Sequence, residues 1–215
     1  YNIDGEVMKM KQKYLDLIEY IHQQDREKAV GLAMELLENK EISIIELYET
    51  VLTMALYDID CQEGDIECIW KEHVQTSIVR TIVELVYPYV LKEKEETKKD
   101  KVLVVCPTEE HHEIGAKMAH DFFLLQGYDS TFIGANTPLT VILAACEFVK
   151  PKYVAISVTN YYHVIDAKKV VDEIKKQFPN ITVLAGGQAF KDKEAIQAVN
   201  ADVHLTTYQS IKELK

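Results

Sequence analysis

Apolar positions in the first ninety residues recur at helical spacing. In "EVMKMKQKYLDLIEYIHQ" they fall at Val7, Met10, Tyr14, Leu17, Ile18 and Ile21, one face of a first helix. Asp25 is placed to cap a second helix carrying Ala29, Val30, Ala33, Leu36 and Leu37, which fades at Asn39. Ser43 and Glu46 have the S-x-x-E spacing of a capping box and open a third helix, "IIELYETVLTMALYDI". "CQEGD" breaks the pattern at Gly64, and a long fourth helix is predicted from about Asp65 to Val90, bent or ended near Pro88. Four helices with short connections predict a bundle over residues 1–91.

Residues 92–100, within "LKEKEETKKD", are a charge run with no core pattern and read as a solvated linker or helix end. The period then changes. Short β-like runs at 101–105, 130–134, 152–157, 182–187 and 201–205 alternate with helical stretches near 113–126, 138–149, 164–177, 191–198 and 208–214. Apolar strands alternating with helices predict an α/β domain over 101–215, a five-stranded parallel sheet in the flavodoxin-like arrangement. Ligands of such sheets lie beyond the carboxyl ends of the strands. The polar motifs of this half fall at those ends.

Composition narrows the classes. The chain has 215 residues, 47% of them hydrophobic and 27% charged, an ordinary folded mix. No apolar run approaches the roughly 20 residues needed to span a bilayer, and no basic-then-apolar leader is present, so no membrane association and a cytoplasmic location are expected. Residues 1–100 carry 22 acidic and 12 basic side chains, against 13 and 12 in residues 101–215. Phosphate backbones are bound mainly by Lys and Arg, so direct nucleic-acid binding by this chain is not expected. The four cysteines, Cys61, Cys68, Cys106 and Cys146, form no C-x-x-C pair and are read as reduced, mostly buried thiols. No G-x-G-x-x-G follows the first strand, which removes a dinucleotide fingerprint. The third strand ends "ISVTN" without the aspartate a phosphoryl-accepting receiver would need.

The chemistry gathers in "CPTEEHHEIGAK". Glu110, His112 and Gly115 make E-x-H-x-x-G between the first strand and its helix. An imidazole there can project over the sheet edge while a carboxylate two residues earlier takes its other N–H, fixing the tautomer of a metal ligand. Gly115 lets another group approach the backbone. Ser157 and Thr159 close strand three as S-x-T, and Gly186 and Gly187 close strand four in "AGGQAF". "GANTP" (134–138) reads as a small-residue turn after strand two. His22, His120 and His204 are assigned to the surface or a satisfied core, His111 to solvent, and Tyr161 and Tyr162 to packing. His163 is placed to reach toward a ligand at the sheet edge.

E-x-H-x-x-G, then S-x-T, then G-G-x-A-F, on a helical bundle followed by an α/β domain, resembles the cobalamin (vitamin B12) binding family over nearly the whole chain. The glutamate in place of the family's usual aspartate is most similar to CarH-type B12-dependent photoreceptor regulators. The resemblance implies adenosylcobalamin or methylcobalamin as cofactor, with His112 as lower axial ligand to cobalt and Glu110 as its partner. It implies a displaced nucleotide tail running past Gly115, Ser157, Thr159, Gly186 and Gly187. It also implies that the bundle caps the reactive face, where Trp70, Glu72 and His73 are the candidates. The regulators' tryptophan normally lies about ten residues before the Glu-His pair, where this chain has Gln62 and Glu63. The function implied is a sensory or regulatory module that passes cofactor state to an effector or a homo-oligomer. The alternative is a corrinoid carrier of a methyltransferase system, the one enzymatic role expected.

Overall fold

The computed structural model describes residues 3–57, 65–97 and 99–214, with side chains from residue 11 onward. The chain divides into two compact units, Tyr1–Tyr89 and Val90–Lys215.

In the first unit α1 (Ile3–His22) and α2 (Arg26–Glu38) bury Leu17, Ile18 and Ile21 and Ala29, Ala33, Leu36 and Leu37. Asp25 caps α2 by accepting the N–H of Lys28 at 3.2 Å. Ser43 likewise accepts the N–H of Glu46 at 3.1 Å. The predicted reciprocal bond from Glu46 is not part of the cap: that carboxylate lies beside the Tyr14 hydroxyl, which burial first and this charge second push up to about 12.

The third helix is α3 (Ile44–Glu46), a π-helical stretch (Leu47–Leu52) and α4 (Thr53–Tyr57) in succession. In α5 (Ile66–Glu93) the backbone passes through Pro88 without ending. An exposed proline costs a helix one hydrogen bond, and Val86 and Val90, both fully buried, hold the turns on either side.

Cys68 is disulfide-bonded, correcting the expectation of a reduced thiol, while Cys106 and Cys146 are free and buried as read. Gln62, Glu63 and Cys61 lie outside the described residues.

The second unit is a five-stranded parallel sheet in the order β2-β1-β3-β4-β5. The strands are β1 (Lys101–Pro107), β2 (Asp129–Thr137), β3 (Tyr153–Ser157), β4 (Thr182–Gly186) and β5 (Val203–Leu205). The predicted runs became these strands because each interior strand is apolar on both sides, as a sheet covered on both faces requires. Leu103, Val105, Val154, Ile156, Val183 and Ala185 face α7 (Leu139–Val149), α8 (Val164–Gln177) and α9 (Lys193–Val199). Side chains alternate along a strand, so Val102 and Val104 face the other layer, of α6 (Ile114–Leu125) and α10 (Tyr208–Lys212). There Phe122 packs on Tyr208 with ring centroids 5.1 Å apart.

Two local features matter for the site. The charged stretch begins as a helix end, as far as Glu93, and its remainder is tied to the sheet unit by Lys99 N–H to Gly127 O at 3.1 Å and by Lys152 to Asp100 at 2.7 Å. "GANTP" is not a free turn after β2. The strand continues to Thr137 with register shifts against β1, and the turn begins at Pro138.

Among the described residues no helix is long and apolar enough to cross a membrane.

Candidate functional site

All five strands are parallel, so their carboxyl ends share one edge, and the loops after β1, β2, β3 and β4 meet there. The loop after β1 turns sharply. Glu110 N–H returns to Pro107 O at 3.1 Å, and Glu109 takes a left-handed conformation with φ 66°. This tight path drives the Glu110 side chain inward, where it is fully buried.

A buried carboxylate needs donors, and Glu110 has four. Oε1 accepts the backbone N–H of His112 at 2.9 Å and lies 2.6 Å from His112 Nδ1. Oε2 accepts the N–H groups of Thr159 at 2.8 Å and Asn160 at 3.0 Å. Burial alone would raise the carboxyl group. The hydrogen bonds from His112 and from the backbones of Asn160, His112 and Thr159 outweigh it and hold Glu110 down at about 2. An ionised acceptor at Nδ1 selects the tautomer protonated there, leaving the lone pair on Nε2. The imidazole side chain is half exposed while its carboxylate partner is fully buried. The site therefore presents one oriented imidazole on a rigid anionic seat.

The remaining predicted residues sort by what surrounds them. Thr159 joins the site through its backbone N–H. Ser157 is buried at the end of β3 in register with Gly186, but its hydroxyl is not among Glu110's donors. A Cβ on Gly115, at the start of α6, would meet nothing within 4 Å. Gly187 differs: with φ 111°, a Cβ there would lie 2.3 Å from Val158 O. Its smallness lets the turn after β4 cross the end of β3, with Ala189 N–H bonded to Val158 O at 3.1 Å. Gly186 lies against Leu205 O, 3.1 Å from where a Cβ would stand. In the helical unit, Trp70 and His73 are exposed on α5 and Glu72 is half-buried.

The other histidines and tyrosines are also placed. His111 is exposed, and Glu110 bonds its neighbour instead. His22 meets Ala55 O at 3.1 Å and His120 meets Ser130 Oγ at 2.8 Å, both satisfied as expected. His204 is not: its Nδ1 is buried with no hydrogen-bond partner among the described residues. Tyr161 and Tyr162, expected to pack, are 49% and 83% exposed, because Asn160 caps a short 3-10 turn that throws them outward. His163, on the same turn, is half-buried.

Sequence reasoning missed two contributors. One is the pair of backbone N–H groups at 159 and 160, which no side-chain motif reports. The other is Asn136, whose N–H donates to Glu110 O at 2.8 Å while its Oδ1 accepts Glu109 N–H at 2.9 Å. The signal for Asn136 was an asparagine in the "GANTP" stretch read as a turn, a residue type that tolerates φ > 0.

The donor set indicates what this edge can hold. Among the described residues no group of three or more His, Cys, Asp or Glu side chains gathers to hold a bare metal ion. A metal bound by protein alone takes three or four such ligands. A metal already held by a macrocycle needs one axial donor with an oriented tautomer and an uncluttered approach. Glu110–His112 and the open side of Gly115 fit that requirement.

A parallel doubly wound sheet with one seated imidazole at its carboxyl edge defines a binding domain for a flat, metal-bearing cofactor. Residues 100–209 match the family model "B12 binding domain", and the chain belongs to that family: its second unit is a cobalamin-binding domain, for which the cofactor is a corrinoid. Over 117 residues the chain is 25% identical to the HTH-type transcriptional repressor CarA of Myxococcus xanthus. That stretch is 54% of this chain and 40% of the repressor, so the chain matches well under half of its curated relative's length. The monomethylamine corrinoid protein of Methanosarcina barkeri superposes with a TM-score of 0.79 at 14% identity, covering 94% of this chain and 96% of that one. A cobalamin-binding protein from Desulfitobacterium hafniense DCB-2 gives 0.50 at 16% identity, covering 93% and 95%. At these identities the structural likeness shows the fold.

Proposed function

We propose that the chain is a regulatory cobalamin-binding module in which His112 is the lower axial ligand to cobalt and Glu110 is the residue that orients it. The observation that carries this reading is the 2.6 Å contact between His112 Nδ1 and a buried carboxylate already satisfied by backbone N–H groups. The bound corrinoid, as adenosyl- or methylcobalamin, would supply a cobalt able to make and break a bond to carbon. The protein's part is to bind and orient. Glu110 stays ionised and keeps the Nδ1 proton in place, so Nε2 is the nitrogen that His112 would offer to cobalt. Gly115, Ser157, Thr159, Gly186 and Gly187 line the proposed path of the nucleotide tail, Gly115 by leaving space and Gly187 by letting the turn after β4 close over β3. Trp70, Glu72 and His73 are the helical unit's candidates for the upper face. The regulatory output, through an effector protein or a second copy of the chain, is supported by the similarity to a transcriptional repressor.

A second reading has its own support. Fold likeness over 96% of a monomethylamine corrinoid protein favours a carrier that presents the cofactor to methyltransferases.

Reconstitution with adenosyl- and methylcobalamin tests what the readings share. Wild-type protein is expected to show the absorption spectrum of a histidine-ligated corrinoid, and His112→Ala is expected to lose it. Failure to take up either form refutes both readings. A change of assembly state on cofactor loading or illumination supports the regulator; methylation of the bound cobalt by a partner methyltransferase supports the carrier.

A further inference from the structure

We propose that Asn136 is a positioning residue for the ligand loop, a latch from the carboxyl end of β2 that holds Glu110 and His112 in place; as a statement about cobalt ligation this rests on the cobalamin reading above. Asn136 makes two bonds to consecutive residues of the neighbouring loop, donating to Glu110 O at 2.8 Å and accepting from Glu109 N–H at 2.9 Å. Both partners are on the short path that ends at His112. Thr108 Oγ1 also reaches Thr137 O at 3.4 Å, a weaker stitch between the same two segments.

The latch works only because two residues adopt left-handed backbone: Asn136 with φ 47° and Glu109 with φ 66°. A left-handed residue other than glycine carries a steric penalty, and asparagine bears it best because its short side chain bonds locally. At Asn136 that side chain bonds the other left-handed residue's N–H, so the two strained positions support each other. Register shifts between β1 and β2 at Val104/Val105 and Val105/Pro107 bring the two loops alongside. Glu110 is thus gripped from both sides. Its carboxylate is seated on the β3 loop and its carbonyl is held by the β2 end, leaving the His112 backbone little freedom.

The test separates side chain from backbone. Asn136→Gly keeps the left-handed conformation and the N–H but removes the acceptor; Asn136→Asp keeps the acceptor. Amide hydrogen exchange is measured on both variants and wild type without cofactor. In Asn136→Gly the His112, Thr159 and Asn160 amides, none of which touches Asn136, are expected to exchange roughly threefold to tenfold faster, the effect of one neutral hydrogen bond. Val171 and Ile174 in α8 should be unchanged, and Asn136→Asp should return the loop to wild-type rates. In protein loaded with cob(II)alamin, the fraction showing nitrogen superhyperfine splitting in the electron paramagnetic resonance spectrum should fall in Asn136→Gly and recover in Asn136→Asp. Wild-type exchange at those three amides in Asn136→Gly, or acceleration shared equally by α8, overturns the proposal. If wild-type protein takes up no cob(II)alamin, the cobalamin reading fails, and the exchange rates still decide whether the latch exists.

Discussion

Replacing Glu110 by glutamine should be among the most damaging single-atom-scale changes in the sheet unit. The carboxylate accepts four N–H groups, two on each oxygen. A glutamine offers one carbonyl oxygen, so whichever way its amide turns, its NH₂ faces two donors. Hydrogen bonds to a charged group contribute about 1.5–3 kcal/mol each, so losing two implies about 3–6 kcal/mol. Titration gives a second route. A carboxyl group held at about 2 instead of the ordinary 4.5 favours the folded, ionised form by about 3 kcal/mol at neutral pH. Both routes meet near 3 kcal/mol, a large part of the 5–15 kcal/mol typical of a domain. The pH dependence follows. Because the folded-state value is depressed, this stabilisation is present above about 4.5 and is lost as pH falls towards about 2. Urea unfolding of wild type and Glu110→Gln, without cofactor, should therefore differ by about 3 kcal/mol at pH 7, with the gap closing between about pH 4.5 and pH 2. A gap under about 1 kcal/mol at pH 7, or one that does not narrow in acid, refutes this account of the seat.

Other consequences can be checked together. Gly187→Ala places a Cβ 2.3 Å from Val158 O at φ 111° and should lower the melting temperature sharply, whereas Gly115→Ala meets nothing within 4 Å and should leave stability nearly unchanged or slightly raised while weakening corrinoid uptake. Equal melting temperatures for the two variants would contradict the assignment of Gly187 to close packing. Burial, with Lys117 nearby, pushes His120 down to about 4, so its ring signals should not titrate between pH 8 and 5 by NMR. The unfolded chain takes that proton near 6.5, so this residue makes the fold less stable as pH drops from 6.5 towards 4, and His120→Gln should flatten that slope.

The element pattern was legible because it depends on local periods. Apolar strands of five residues or so, separated by amphipathic helices, admit few arrangements beyond a covered parallel sheet, and Leu103, Val154 and Val183 had no other place to go. The spacing Glu110-x-His112 was also readable, since two residues apart in a loop is close enough for a carboxylate to meet an imidazole. Local reasoning failed where a residue's role is set by a segment distant in sequence. "GANTP" looked like a turn because its glycine and proline are turn residues, yet pairing with β1 carries the strand to Thr137. Tyr161 and Tyr162 were expected to pack, and there the missed signal was local: the cap at the adjacent Asn160 turns them to solvent.

By itself the sequence determined the fold class and the location of the chemistry at the strand ends, because hydrophobic period is written in neighbouring residues. The full E-x-H-x-x-G pattern ending at Gly115 picked His112 over His111, since Glu109-x-His111 has the same two-residue spacing. Only the tertiary structure decided how that partner is held. The N–H groups of Thr159 and Asn160 are 49 and 50 residues away from Glu110 in the chain, and Asn136 is 27 away from the Glu109 N–H it accepts. Backbone donors have no side-chain signature, and a buried charge takes whichever donors folding brings within reach; the seat of His112 exists only once three strands lie side by side.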